Sequence, residues 1–198
     1  MTHIFLVPST SAMGKNNSKL SPEQLDELKI NTSFNETEIR FWYKSFMKEF
    51  PNGRMNRSQF KKLYSNLFPN GDESRFVDHA FKRFDIDGDG YVDFREFMWA
   101  MSITSRGNIE QRLEWAFSMY DLDGDGFITR KEMLEIVTSI HRMVGNNKEV
   151  FKSKTTPEEQ VDQIFCQMDK DLDGKLSKQE FIEGAKNDHS VTQMFWHV

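Results

Sequence analysis

Three twelve-residue segments of this chain share one spacing of acidic residues and glycine, and this repeat constrains the fold more than any other feature. Each segment has Asp at positions 1, 3 and 5, Gly at position 6 and Glu at position 12, and the segments cover residues 85–96, 121–132 and 169–180. Oxygen atoms at alternating positions can all point into a tightly wound loop, where a hard divalent cation takes roughly six to eight ligands. Solvated acidic turns without a metal would have no reason to repeat the glycine and the final Glu. We therefore predict three metal loops, named here the first, second and third acidic loops.

The spacing is that of the EF-hand calcium loop. Position 7 contributes its backbone carbonyl, so its side chain is free to vary, and the Glu at position 12 supplies two oxygens from the first turn of the next helix. The predicted ligands are Asp85, Asp87, Asp89, Tyr91, Asp93 and Glu96 in the first acidic loop; Asp121, Asp123, Asp125, Phe127, Thr129 and Glu132 in the second; and Asp169, Asp171, Asp173, Lys175, Ser177 and Glu180 in the third. Ca²⁺ is the expected ion at all three sites, with Mg²⁺ as a competitor.

A fourth loop of the same length, residues 48–59, aligns on its glycine but has lost the ligand chemistry; we name it the degenerate loop. Lys48 places a cation at position 1, Phe50 is apolar at position 3, and Gln59 replaces the carboxylate at position 12. Pro51 stiffens position 4. We predict that the degenerate loop does not bind calcium.

Apolar residues at two further positions show why a degenerate loop would be kept. In EF-hands the residue at position 8 pairs with its counterpart in a neighbouring loop, so that the hands come in twos. Position 8 is Met55, Val92, Ile128 and Leu176 in the four loops, and position 13 is Phe60, Phe97, Met133 and Phe181. The sequence therefore predicts an all-α fold of four EF-hand helix-loop-helix units, paired into two lobes with short antiparallel bridges between paired loops.

The four units also set the predicted domain organisation. We expect a flexible N-terminal extension over 1–20, an N-lobe over 21–104, a hinge over 105–108, a C-lobe over 109–189 and a C-terminal tail over 190–198. Gly107 in the hinge can adopt a positive φ. Helices are predicted to begin at the N-caps Ser21, Asn35 and Thr156. A polar linker separates the last two hands, and the apolar tail either covers a groove or completes the packing of the last helix.

Composition excludes several other classes of protein. The net charge is −5 and the sequence pI is about 5.6, which argues against nucleic acid as a partner. Cys166 is the single cysteine, so no intramolecular disulfide can form and a cytoplasmic, reducing location is favoured. We expect Cys166 to be a small buried apolar group rather than a redox sensor. No stretch approaches the roughly 20 apolar residues of a membrane span.

A short motif near the front of the chain matches an acylation signal. Residues 13–18 are Met-Gly-Lys-Asn-Asn-Ser, which fits the N-myristoylation pattern at Gly14. The acceptor must be an N-terminal glycine, so either translation begins at Met13 or the chain is an unmyristoylated form. The alternative is a disordered polar arm. Lys15 and Lys19 would either contact anionic lipid or remain solvated.

These features together resemble the neuronal calcium sensor family. Within that family the chain is most similar to the hippocalcin, neurocalcin and visinin-like group, and the resemblance covers Met13 to about Val191. It is carried by the four hands, by Pro-x-Gly in the degenerate loop, and by the segments 13–20, 102–107, 115–124 and 181–186. Two features depart from the family: Phe50 stands where a Cys is usual, and twelve residues precede Met13.

The resemblance implies a compact molecule with both lobes on one side and a calcium-myristoyl switch, in which calcium extrudes an acyl chain from an N-lobe groove. It also implies reversible membrane contact and partners among receptor kinases, guanylate cyclases and ion channels; homodimerisation stays open. Aromatic residues suited to such a groove, or alternatively to ordinary core packing, are Trp42, Tyr43, Phe46, Phe60, Tyr64, Phe68, Phe81, Phe84, Phe97 and Trp99.

The function predicted from the sequence is thus a calcium sensor that exposes an apolar N-lobe groove. The rival hypothesis is a cytosolic calcium buffer without a regulated target. An enzyme is not predicted, because the chain has no nucleophile elbow, phosphate loop or paired catalytic motif.

Overall fold

The computed structural model describes residues 19–67, 74–144 and 155–187. Within these ranges the chain forms helices and three-residue strands in the order α1 Pro22–Asn31, α2 Glu36–Glu49, β1 Arg54–Asn56, α3 Arg57–Leu67, α4 Ser74–Phe84, β2 Tyr91–Asp93, α5 Phe94–Arg106, α6 Ile109–Tyr120, β3 Phe127–Thr129, α7 Arg130–Val144, α8 Pro157–Met168, β4 Lys175–Ser177 and α9 Lys178–Asn187. Among these helices, none is both long and apolar enough to cross a membrane. The predictions for Gly14, Lys15, Phe68, the linker segment 145–154 and the tail 190–198 lie outside the described residues.

The three predicted N-caps each begin a helix through a capping box. At α1 the backbone N–H of Gln24 donates to Ser21 Oγ, and the N–H of Ser21 donates to Gln24 Oε1, both at 3.2 Å. Asn35 begins α2 and Thr156 begins α8 in the same reciprocal way. The side chains satisfy backbone donors that have no partner inside the helix. These boundaries are therefore set by residues three apart in the sequence.

The paired loops are joined as the position-8 pattern predicts. Strand β1 pairs antiparallel with β2, with Met55 opposite Val92, and β3 pairs with β4, with Ile128 opposite Leu176. All four of these side chains are fully buried. The predicted fold class, helix-loop-helix units paired into lobes by short bridges, is confirmed.

The position-13 residues fill the core of each lobe. Phe60 is 1% exposed, and its ring centroid lies 5.1, 5.5 and 5.0 Å from those of Tyr64, Phe81 and Phe84. Phe181 has the same role in the C-lobe, where it contacts the ring of Phe117 at 5.8 Å. Burial of aromatic side chains is the largest apolar contribution that a small lobe can obtain.

Helix α4 of the N-lobe packs against α6 and α7 of the C-lobe. His79 Nε2 lies 3.3 Å from Glu135 Oε1 across this contact. The ring of Trp115 on α6 makes edge-to-face contacts with Phe84 and Trp99, and its centroid lies 5.8 and 5.5 Å from theirs. Beside the two tryptophans lies a cavity of about 550 Å³ lined by both lobes. The lobes therefore share an aromatic interface.

The predicted hinge, residues 105–108, includes the end of α5 and the two residues before α6. Gly107 has φ −58°, so it does not use the positive φ open to glycine. An added Cβ there would lie 2.4 Å from the carbonyl oxygen of Ile103, so the glycine permits a close backbone approach instead. Helix α5 continues through Arg106, whose guanidinium pairs with Glu38 and lies 4.4 Å from the Phe34 ring centroid. The domain boundaries themselves stay a prediction.

The expectation that Cys166 is buried is wrong. The thiol is free and exposed on α8. The buried side of that helix is formed by residues such as Val161, Ile164, Phe165 and Met168, and Cys166 falls on the opposite side. The prediction was based on residue type, whereas the exposure of Cys166 follows from its place in the helical period of α8.

Candidate metal centres

Each acidic loop brings three of its predicted ligands close together. Carboxylate oxygens at positions 1, 3 and 12 lie within 4.8 Å of one another in all three loops, in the groups Asp85, Asp87 and Glu96; Asp121, Asp123 and Glu132; and Asp169, Asp171 and Glu180. Three carboxylates at this separation repel one another strongly unless a cation or protons neutralise them. The three groups are therefore suited to a bound cation.

The position-6 glycines hold the loops in shape. Gly90, Gly126 and Gly174 have φ of 85, 89 and 84°, a conformation that side chains disfavour. In each case the glycine N–H donates to a carboxylate oxygen of the position-1 Asp at 3.0 Å. The backbone turn thus holds one oxygen of the position-1 carboxylate in place. The direction of the second oxygen follows from that of the first.

Two of those other oxygens have no hydrogen-bond partner. Asp85 Oδ1 and Asp169 Oδ1 are both buried and unpaired. A buried, unpartnered carboxylate oxygen is costly, and a divalent cation would remove that cost. In the second acidic loop Asp121 Oδ1 is instead hydrogen-bonded, because the N–H groups of Gly124 and Asp125 donate to it at 2.8 and 3.1 Å. The donor sets fit a hard cation with oxygen ligands.

The closing Glu of each loop is held by backbone N–H groups from both ends of the loop. The N–H groups of Ile86 and Asp93 donate to Glu96 Oε1 and Oε2, each at 2.8 Å. Glu132 and Glu180 accept equivalent bonds. Because Glu96 belongs to the first turn of α5, the position of its carboxylate is tied to the position of that helix.

Position 9 distinguishes the first acidic loop from the other two. The hydroxyl of Thr129 donates to Glu132 Oε2 at 2.6 Å, and the hydroxyl of Ser177 donates to Glu180 Oε2 at 2.7 Å. Asp93 occupies position 9 in the first loop and, as a carboxylate, has no proton to donate. Its Oδ1 accepts the N–H of Glu96 at 2.9 Å and caps α5.

The closing carboxylates differ in pKa for this reason. Burial raises the pKa of Glu96 above its ordinary value, and the charge of Asp93 adds to the rise although backbone donors oppose it. Burial also acts to raise the pKa of Glu132 and Glu180. There the position-9 hydroxyl and the backbone N–H groups outweigh burial, and the pKa of each falls below its ordinary value.

The remaining predicted ligands lie outside the three close groups. At position 5, Oδ1 of each Asp accepts the N–H of position 7 at 2.9 Å, in the pairs Asp89 and Tyr91, Asp125 and Phe127, and Asp173 and Lys175. The position-7 residues begin the strands β2, β3 and β4. The close groups support positions 1, 3 and 12 as ligands, and the assignment of all six ligand positions in each loop stays a prediction.

The degenerate loop has a different backbone course. Helix α2 continues through Lys48, whereas the helices before the acidic loops end before position 1. Phe50 is buried, and its carbonyl accepts a hydrogen bond from the N–H of Gly53 at 2.8 Å. In the acidic loops the equivalent N–H, that of the position-6 glycine, donates to the position-1 Asp instead. Asn56 and Gln59 form the same capping box as Asp93 and Glu96, but with an amide in place of the closing carboxylate. Its lack of calcium binding stays a prediction that this geometry supports.

A contact between the degenerate loop and the first acidic loop was not predicted. Arg54 Nη1 lies 3.3 Å from Asp89 Oδ2, and its guanidinium carbon lies 5.7 Å from the Tyr91 ring centroid. The antiparallel register that pairs Met55 with Val92 places Arg54 opposite Asp93 and diagonally across from Tyr91. The prediction stopped at the apolar pair and did not consider its basic neighbour.

Position 4 of the third acidic loop carries backbone strain. Gly88 and Gly124 occupy position 4 of the other two loops with φ of 72 and 76°, but Leu172 stands in the third loop with φ 61°. Leucine rarely adopts this region. Its side chain is 84% exposed, so no packing compensates the strain locally.

The paired helix-loop-helix units and their acidic loops define an EF-hand protein. A family model described as an EF-hand domain pair matches residues 110–186, and an EF-hand domain model matches residues 76–104. The chain is 49% identical over 181 residues to neuronal calcium sensor 1 of Aplysia californica, covering 91% of this chain and 95% of that protein. It is 41% identical to S-modulin of Aquarana catesbeiana, with 88% of each chain covered, and 40% identical to human recoverin, with 92% of each covered.

The chain belongs to the neuronal calcium sensor family. The identity to visinin of Gallus gallus is 36%, below the values for neuronal calcium sensor 1. The narrower resemblance to the hippocalcin, neurocalcin and visinin-like group stays a prediction.

Proposed function

We propose that this protein is a calcium sensor that binds three Ca²⁺, one in each acidic loop, and exposes apolar N-lobe surface in response. The observation that carries the proposal is the group of three close carboxylates that recurs in each acidic loop. In two of these loops one oxygen of the position-1 Asp is also buried and unpaired. A bound calcium ion supplies positive charge that allows these carboxylates to remain together. Mg²⁺ is the expected competitor, because it uses the same oxygen ligands but demands stricter geometry.

The path from the first acidic loop to the N-lobe surface runs through α5. Glu96 is followed directly by Phe97, whose ring lies 5.9 Å from Trp42 and 5.4 Å from Phe46 on α2. Without a cation, repulsion from Asp85 and Asp87 would favour withdrawal of Glu96. Because Glu96 lies in the first turn of α5, its movement between the calcium-free and calcium-bound states would change how Phe97 packs against these two rings.

The aromatic residues show where surface would be gained. Most of the predicted set is buried in this conformation, namely Phe46, Phe60, Tyr64, Phe81, Phe84 and Phe97, which supports core packing for these residues. Trp42 and Tyr43 are half-buried, and Trp99 is exposed. Phe41 is 56% exposed beside Trp42, at a ring distance of 6.1 Å. We propose that Phe41, Trp42 and Tyr43 form the edge of the responsive surface.

Calcium is expected to increase the fluorescence of an apolar dye such as anilinonaphthalene sulfonate, because opened helix pairs expose hydrophobic side chains. Magnesium in excess should give a smaller response. The measurement is a dye titration against calcium buffered by a chelator. The matched control is the triple variant Glu96→Gln, Glu132→Gln and Glu180→Gln, which should show no calcium response. Calcium binding by the wild-type protein without a dye response would favour the rival function of a calcium buffer.

The lipid switch and the partners form a second part of the proposal. Family membership supports partners among membrane-associated signalling proteins, such as receptor kinases, guanylate cyclases or ion channels, with reversible membrane contact and no catalytic activity of its own. A myristoyl group at Gly14 would bind membranes only marginally, which suits reversible attachment. The mass of the intact protein from its native cell tests this. A chain that begins at an acylated Gly14 supports the switch, whereas an unmodified Met1 form alone would remove it.

A further inference from the structure

The ion pair between Arg54 and Asp89 joins a loop that lacks ligands to a loop that has them. The register of β1 and β2 places Met55 opposite Val92, so Arg54 lies opposite Asp93 and diagonally across from Tyr91. The guanidinium lies near the Tyr91 ring and reaches past it to Asp89. Position 5, which Asp89 occupies, is a predicted ligand position.

The two oxygens of Asp89 have different partners. Oδ1 accepts the N–H of Tyr91 at 2.9 Å, and Oδ2 lies 3.3 Å from Arg54 Nη1. The carboxylate is therefore held between a backbone donor and a cation. A metal ion that uses Asp89 must share this carboxylate with the guanidinium or displace it, and the two positive charges repel each other in either case.

The C-lobe provides an internal comparison. Lys175 at position 7 of the third acidic loop lies 4.4 Å from the ring centroid of Phe127 at position 7 of the second, so a cation again lies over its partner's aromatic ring. In the described part of the chain, however, neither Asp125 nor Asp173 forms a salt bridge like that of Asp89. The contact of a cation with a position-5 carboxylate is thus specific to the N-lobe pair.

We propose that Arg54 of the degenerate loop lowers the calcium affinity of the first acidic loop through its ion pair with Asp89. This inference rests on the proposed calcium site at Asp85–Glu96. The first acidic loop carries one more carboxylate than the others, at Asp93, whose Oδ2 lies 3.3 Å from Arg95 Nε, and Arg54 adds a second cation to this loop at Asp89. The degenerate loop then has two roles: it completes the bridge through Met55, and it sets the calcium concentration at which its neighbour fills.

The test follows each loop separately by NMR of ¹⁵N-labelled protein in chelator-buffered calcium. The amides of Gly90, Gly126 and Gly174 each donate to the position-1 carboxylate of their own loop, so each reports the filling of one site. Arg54→Gln is expected to lower the free calcium at half-saturation of the Gly90 signal by about threefold, the size expected for loss of an exposed charge contact. The midpoints at Gly126 and Gly174 should stay unchanged.

Two further variants and a change of salt concentration show whether the charge of Arg54 or its packing changes the Gly90 midpoint. Arg54→Lys keeps the charge and should keep the Gly90 midpoint near that of the wild type. Lys175→Gln is the matched control, and it should shift the Gly126 and Gly174 midpoints less than Arg54→Gln shifts Gly90. In 1 M KCl, where the screening length is about 3 Å, the difference between Arg54→Gln and the wild type should shrink.

Several outcomes would overturn the inference. An unchanged or raised Gly90 midpoint in Arg54→Gln would do so, as would an equal shift in Lys175→Gln or a difference that persists in 1 M KCl. A wild-type Gly90 signal that does not respond to calcium at all would instead refute the proposed site in the first acidic loop, and the inference with it. The response of wild-type Gly90 therefore distinguishes failure of the inference from failure of the proposed function.

Discussion

Replacement of the closing Glu by Gln is expected to weaken calcium binding at the affected loop by about 100-fold or more. Changes to groups that only orient a metal ligand already cost roughly 10- to 100-fold in affinity, and Glu96, Glu132 and Glu180 are proposed as ligands that supply two oxygens each. The amide keeps the size of the side chain but loses the negative charge and one acceptor oxygen. Each single variant should therefore lose one ion from the stoichiometry measured by calorimetry at micromolar calcium.

Glu183→Gln on α9 is the matched control, because Glu183 lies outside the loops and its Oε1 accepts a hydrogen bond from Gln179 at 3.0 Å. It should bind as many ions as the wild type. If Glu96→Gln also bound the full number of ions with wild-type affinity, the assignment of Glu96 as a ligand would be wrong.

Phe60→Ala is expected to lower the free energy of unfolding of the N-lobe by about 3–5 kcal/mol. Phe60 is position 13 of the degenerate hand, is 1% exposed and contacts three aromatic rings. Truncation would remove these contacts and leave a cavity that the surrounding rings can fill only partly. Urea unfolding of the calcium-free protein, followed by tryptophan fluorescence, measures the loss.

The control for this prediction is Phe41→Ala, which removes the same number of atoms from a side chain that is 56% exposed. Its expected cost is below about 1 kcal/mol. Equal costs for the two variants would show that Phe60 is not part of a packed core. The degenerate hand would then lack the structural role that its sequence suggests.

Features decided by neighbouring residues were predictable from the sequence. The capping boxes at Ser21, Asn35 and Thr156 depend on residues three apart, and the position-6 glycines depend on a backbone turn within each loop. The bridge pairs could also be predicted, because the same apolar position recurs in all four loops. Repetition supplied the long-range information that a single loop would not contain.

Features decided by packing between segments were missed. The close approach of Gly107 to the carbonyl of Ile103, which an added Cβ would block, was not predicted. The contact of Arg54 with Asp89 joins residues 35 apart in the sequence. Each of these depends on how elements are placed against each other, which residue types and local spacing do not determine.

The position of Phe50 shows how the degenerate loop differs from the acidic loops. The Asp at position 3 of each acidic loop lies beside the carboxylates of positions 1 and 12, whereas Phe50 is buried against Phe46 at a ring distance of 5.0 Å. Its carbonyl then accepts the N–H of Gly53. The sequence indicated that ligands were lost, but the rearranged backbone was visible only in the structure.

Isothermal titration calorimetry of the calcium-free chain tests the central claim most directly. Three oxygen-lined loops predict the uptake of three Ca²⁺ per chain, with dissociation constants of about 10⁻⁷ to 10⁻⁵ M, the range of EF-hand sensors. Uptake of fewer than three ions in that range would contradict the account.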